Sequence, residues 1–145
     1  MPFMRLLLTA IAIIATFLYC RKEAKEEIDY EALIECASTQ STDSTLLAGR
    51  IAGNWKLFAR ACPMSTGTPK DVRMTICAGR TFKITEGGIV VTQGNWRFRE
   101  WGNGWQLNLT QPNNYLFGSV SVCAGKLIFS AIPVDGCNHY FSRTF

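Results

Sequence analysis

The stretch Trp105-Gln106-Leu107-Asn108-Leu109-Thr110 decides the fold, because its apolar and polar side chains alternate without a break. A period of two puts Trp105, Leu107 and Leu109 on one face and the polar residues on the other, the pattern of a half-buried strand. Just upstream, Trp96-Arg97-Phe98-Arg99 alternates in the same way. Trp101-Gly102-Asn103-Gly104 separates the two runs and carries the Gly and Asn that a tight turn needs for positive φ.

The same punctuation recurs outward in both directions. Ala78-Gly79-Arg80, Glu86-Gly87-Gly88, Pro112-Asn113-Asn114, Ala124-Gly125-Lys126 and Asp135-Gly136 all mark turns. Between these breaks the chain predicts eight strands, at about 51–60, 72–77, 81–85, 89–100, 104–111, 115–123, 127–134 and 138–144. The 62–70 segment, with Pro63, Gly67 and Pro69, is the one sizeable irregular connection. The expectation is an all-β domain over 49–145: a small antiparallel up-and-down eight-stranded barrel, or a flattened sandwich of the same strands. A signal helix and a charged tether precede it.

Residues 1–20 carry that signal. Arg5 is followed by an apolar run from Leu6 to Tyr19, interrupted by Thr9 and Thr16, and the run closes on Cys20. A positive start and a short hydrophobic stretch form an export-signal pattern, too short to span a bilayer comfortably. Cys20, followed at once by Arg21-Lys22-Glu23, resembles the lipidated cysteine of bacterial lipoprotein signals. Phe17 and Tyr19 stand where that family's lipobox has Leu and a small residue. The implied partner is a membrane, reached through an N-terminal lipid on Cys20 or an uncleaved hydrophobic anchor. The implied location is the cell envelope, as a lipoprotein anchored in the outer membrane.

Residues 21–48 read as a tether. Glu, Lys and Ala favour one or two frayed helical turns up to Ala37, and 38–45 is a Ser/Thr-rich linker. Cys36 lies within it, and a mobile segment is a poor place for an internal staple, so a partner chain or a free thiol is expected. Charge divides along the same boundary. From Gly49 onward eleven basic residues face four acidic ones, a net +7, whereas 21–43 carries a net −4. The basic domain favours an anionic ligand, although a solvated surface serving solubility explains the same charge.

Gly53-Asn54-Trp55 on the first strand resembles the G-x-W signature of the lipocalin superfamily, with Arg143 matching the basic residue that packs across that tryptophan. The ordered set Gly53-Asn54-Trp55-Lys56-Leu57, Cys62, Gly94-Asn95-Trp96 and Gly136-Cys137-Asn138-His139-Tyr140-Phe141 is similar to the small lipocalin-like lipoproteins of Bacteroidetes. The resemblance implies a barrel whose Gly53, Trp55 and Arg143 close one end, and a calyx for a small hydrophobic ligand. Physically, Gly53 lets the chain bend, Trp55 plugs the end, and a guanidinium over its ring adds about 0.5–2 kcal/mol.

Four cysteines fall within the domain. Cys62 follows the first strand and Cys137 opens the last, so a closed barrel brings them together. Cys77 and Cys123 each end a strand before Ala-Gly and a basic residue. The expected pairs are Cys62–Cys137 and Cys77–Cys123, with other connectivities open. Disulfides fit an exported chain. Neither C-x-x-C nor a Cys/His cluster is present and His139 is the sole histidine, so no metal and no cofactor are expected.

No paired carboxylates, G-x-S-x-G or phosphate loop appears, so catalysis is not expected. Trp96-Arg97-Phe98-Arg99 mixes aromatic and basic residues, but alternation sends the rings inward, and export argues against nucleic acid. The inward set Trp55, Phe82, Ile84, Trp96, Phe98, Trp105, Leu107, Leu109 and Phe129 is bulky enough to fill a barrel of this size. Two functions follow: a membrane-tethered binding module for a small hydrophobic or anionic ligand or an envelope component, or a structural or protein-interaction lipoprotein with a packed barrel and no ligand cavity. His139 would matter to an enzyme only if several polar groups converged on it in a cleft.

Overall fold

A computed structural model describes residues 29–38, 43–63, 70–131, 134 and 136–145. Signal segment and Cys20 lie outside these residues. The eight strands close into a barrel in which each pairs with its sequence neighbours and the last returns to the first. The strands are β1 (Gly53–Ala61), β2 (Val72–Ile76), β3 (Thr81–Glu86), β4 (Ile89–Trp101), β5 (Gly104–Leu109), β6 (Ser119–Cys123), β7 (Lys126–Ser130) and β8 (Asn138–Thr144). All neighbouring pairs are antiparallel, and β1–β8 closure settles the choice between barrel and sandwich.

Bulky apolar side chains pack the interior. Trp55, Phe82, Ile84, Trp96, Leu107 and Phe129 are buried in one cluster, with Phe98, Trp105 and Leu109 packed against it. These nine are the residues that alternation sends inward. Leu57, Met74, Ile76, Leu127 and Phe141 complete the packing between them, as side chains do in small barrels.

The described parts of the stretch expected to be a tether, 29–38 and 43–48, fold against this barrel. Helix α1 (Tyr30–Ser38) lies over the outer face of the last strands, where Leu33 joins Ala59, Cys123, Ile128 and Tyr140 in a second cluster. Tyr30 meets Tyr140 edge-on, with centroids 5.2 Å apart. Helix α2 (Ser44–Ile51) covers one end of the barrel and buries Leu47 and Ile51 in the core. Its start is fixed by Asp43, whose carboxylate accepts from the backbone N–H groups of Thr45 at 2.8 Å and Leu46 at 3.3 Å. The Ser/Thr-rich stretch taken for a linker thus contains a helix cap.

Cys62 is joined to Cys137 with Cα atoms 4.2 Å apart, tying the end of β1 to the start of β8. Cys123 is bonded to Cys36 of α1, not to Cys77. Cys77 is exposed and free. The reason is barrel geometry. Cys77 sits at the β2–β3 turn and Cys123 at the β6–β7 turn, four strands apart on an eight-stranded ring and so across its diameter. A disulfide cannot bridge Cα atoms more than about 7 Å apart. Cys36, carried by a helix docked on β6, is within that reach at 5.9 Å. Two disulfides point to an extracytoplasmic protein. Among the described residues no helix is long and apolar enough to cross a membrane.

Candidate functional site

The two ends of the barrel are built differently. At the end covered by α2, Trp55 lies fully buried and donates its indole N–H to the Ile51 carbonyl at 2.8 Å. Arg143 places its guanidinium 4.7 Å from the Trp55 ring centre and donates to the Arg50 carbonyl at 2.9 Å. Gly53, at φ 143°, leaves room for this arrangement, since a Cβ there would stand 3.3 Å from Arg143 Nη1. Every polar group named here has a partner. Gly53, Trp55 and Arg143 therefore form a plug.

At the opposite end, about 16 Å along β1 at the usual strand rise, a cleft of about 470 Å³ opens between Arg60, Glu86, Tyr115, Phe117 and His139. Its depth is limited by the packed core, because Leu116, Phe129 and Phe141 are fully buried beneath it. Cys137 also lines the cleft, so the Cys62–Cys137 disulfide holds its β1 and β8 edges together.

Each polar side chain reaches the cleft by an identifiable local device. Strict alternation from Trp55 and Leu57 would turn Ala59 and Ala61 inward and Arg60 outward. A bulge between Leu57 and Ala59 shifts the register by one, pairs Ala59 with Tyr140 on the outer face, and sets Arg60 opposite His139 on the inner one. His139 follows Phe141 and Arg143 on the inward row of β8 by plain alternation. Glu86 continues the inward row of Phe82 and Ile84 to the end of β3. Tyr115 belongs to a 3-10 turn (Asn114–Leu116) rather than to the start of β6, where the strand expected over 115–123 placed it. Asn113 caps that turn by accepting from the Tyr115 N–H at 2.8 Å, and Gly118 at φ 101° redirects the chain into β6.

The electrostatics of the cleft are uneven. Glu86 is engaged twice: it accepts from the Tyr115 hydroxyl at 2.9 Å and faces the Lys70 ammonium at 3.5 Å. Tyr115 is held neutral far into the alkaline range, pushed up to about 12 by burial first and then by the Glu86 hydrogen bond and charge, with Arg60 opposing. Arg60 donates to Cys137 Sγ at 3.2 Å and has no carboxylate partner among the described residues. His139 is 4% exposed, lies edge-on to Tyr115 with centroids 5.4 Å apart, and its Nδ1 has no hydrogen-bond partner. Burial first, and then the Arg60 charge, depress its pKa to about 4, so the ring is neutral at pH 7.

Among the described residues no cluster of three metal-ligating side chains occurs. Arg60, Glu86 and Tyr115 were not legible as a site in the sequence: the bulge that aims Arg60 and the turn that delivers Tyr115 leave no periodic signal. Only His139, as the sole histidine, stood out. The chain matches no family model, no curated protein and no solved structure.

Proposed function

We propose that the protein is a non-catalytic binding module, tethered to a membrane of the bacterial cell envelope, whose small ligand enters the mouth of the barrel opposite the Trp55 plug. The observation that carries this reading is the cleft of about 470 Å³ in which Arg60, Glu86, Tyr115 and His139 converge, a volume within the range of small-molecule sites. The packed interior directs the ligand to the rim, so a deep apolar calyx gives way to a shallow site of mixed polarity.

The convergence of polar groups is also what an enzyme would need. Binding is favoured over catalysis because the two perturbed groups titrate at about 4 and about 12. Neither is poised near neutral pH to take and return a proton. Tethering rests on the apolar run ending at Cys20 and on the lipoprotein resemblance; the two disulfides suit that compartment.

A second reading, a structural or protein-interaction lipoprotein, is supported by the solid interior and by Ile89, Val90 and Val91, which are exposed in succession after the β3–β4 turn. Native mass spectrometry of the membrane-extracted protein tests both parts. The binding-module reading expects a diacylglyceryl mass on a chain beginning at Cys20, two intact disulfides and a co-purified small molecule. A mature mass without the lipid contradicts the lipoprotein reading, and a ligand-free barrel found in an envelope complex favours the second reading.

A further inference from the structure

We propose that the mouth cleft selects a compact monocarboxylate, held by the Arg60 guanidinium against the Tyr115 and Phe117 rings. This rests on the reading of the cleft as a binding site and goes further in naming the ligand's chemistry.

Charge comes first. Among the described residues the cleft holds one carboxylate, Glu86, and it is already matched by Lys70 and hydrogen-bonded by Tyr115. Arg60 is left as the cation whose hydrogen bond goes to a sulfur atom, a weak acceptor. A guanidinium has five N–H donors in a planar fork that matches a carboxylate. One unmatched positive charge suits one negative charge, which favours a carboxylate over a doubly charged phosphate.

Polar surroundings are consistent with this. Next to Arg60 in register stands His139, more than nine-tenths buried, with an Nδ1 that nothing satisfies. Because its ring is neutral at pH 7, it adds no second positive charge at the cleft.

Size and shape come from the walls. Tyr115 and Phe117 line the cleft, and Phe117 is 43% exposed, an aromatic surface left uncovered at the rim. Below them Leu116, Phe129 and Phe141 close the way into the barrel. A flat ring or a short branched chain can lie on this surface, whereas a long acyl tail finds no tunnel to enter. The inference is therefore the opposite of a deep hydrophobic calyx.

The test uses the full chain with its disulfides intact, titrated by calorimetry and by NMR with benzoate, benzamide and dodecanoate. Benzoate is expected to bind at least tenfold more tightly than the isosteric neutral benzamide, and Arg60→Gln to abolish that preference. Arg60→Lys, which keeps the charge and loses the fork, is expected to retain part of it. Dodecanoate is expected to gain less than tenfold over benzoate.

Equal binding of benzoate and benzamide, or an Arg60→Gln variant as selective as the wild type, would overturn the carboxylate assignment while leaving the mouth a binding site. A dodecanoate advantage of more than tenfold would overturn the compact-ligand assignment, again without removing the site. If none of the three probes shifts any resonance of the rim, both the inference and the binding-module reading fall. Far-ultraviolet circular dichroism of each variant confirms that the barrel is intact.

Discussion

The plugged end and the open end of this barrel use the same two strands and similar side chains, yet they differ in one respect. On β1 and β8 the inward rows run from Trp55 and Arg143 at one end to Arg60 and His139 at the other. Arg143 lies over the Trp55 ring, and Arg60 lines one cleft with Tyr115 and Phe117. At the plug, Arg143 and the Trp55 indole donate to the backbone carbonyls of Arg50 and Ile51, at the C-terminal end of the α2 helix that covers the barrel. At the mouth, Arg60 donates to a sulfur and His139 Nδ1 to nothing. A buried polar atom without a partner, as His139 Nδ1 is, costs free energy, commonly about 1–3 kcal/mol. Where a fold satisfies such groups at one end and leaves them open at the other, the open end is the place to look for a ligand.

The contrast can be broken by substitution. The largest effect is expected at the plug, where Trp55→Ala removes a fully buried indole and its hydrogen bond. Losses of about 3–5 kcal/mol are usual for such changes, and denaturant unfolding should show a matching fall in midpoint. Next, the double variant Cys62→Ala/Cys137→Ala releases the strand ends that hold the cleft. It is expected to cost ~2–5 kcal/mol and, unlike loss of the Cys36–Cys123 disulfide, to weaken ligand binding at the mouth as well.

A third effect is set by pH. His139 titrates near 6.5 when unfolded and at about 4 in the barrel. Between those values the unfolded chain binds the extra proton, so stability falls as pH drops from about 6.5 towards 4 and the loss levels off below that. The charged and titratable groups facing the ring are Arg60 from β1 and Tyr115, itself bonded to Glu86 of β3. The shift corresponds to at most about 3 kcal/mol, reduced by solvent at the cleft. In His139→Gln that slope should flatten, and a slope equal to that of the wild type would assign the acid sensitivity to other groups.

The smallest effect sharpens the comparison most. Arg143→Gln is expected to cost about 1–2 kcal/mol, through the lost cation–π contact and hydrogen bond. Arg60→Gln is expected to stay within about 0.5 kcal/mol of the wild type, as exposed side chains generally do. Equal losses at both arginines would mean that the mouth is as structural as the plug.

The barrel was legible because alternation is a local and repeated signal. Trp105 to Thr110 carries it, and the Gly and Asn turns confirm its length. The plug was expected from the resemblance carried by Gly53-Asn54-Trp55 and Arg143, and not from alternation. The Cys62–Cys137 neighbourhood followed from closure alone. What stayed hidden depends on interruptions of the pattern. One extra residue at Phe58 reverses the direction of Arg60, and a capped turn takes Tyr115 out of β6. Likewise, Asp43 starts a helix within a polar stretch, and the docking of α1 puts Cys36, not Cys77, beside Cys123. Tertiary placement of a helix on a barrel has no counterpart in periodicity.

The central claim is that the ligand acts at one end of the barrel only. The most direct measurement maps chemical-shift changes over the full chain as benzoate is added. The changes are expected to centre on Arg60, Tyr115, Phe117 and His139, with the Trp55 indole and Arg143 guanidinium signals unmoved. Shifts centred on Trp55 and Arg143, with the mouth silent, would contradict the division of the barrel into a structural end and a binding end.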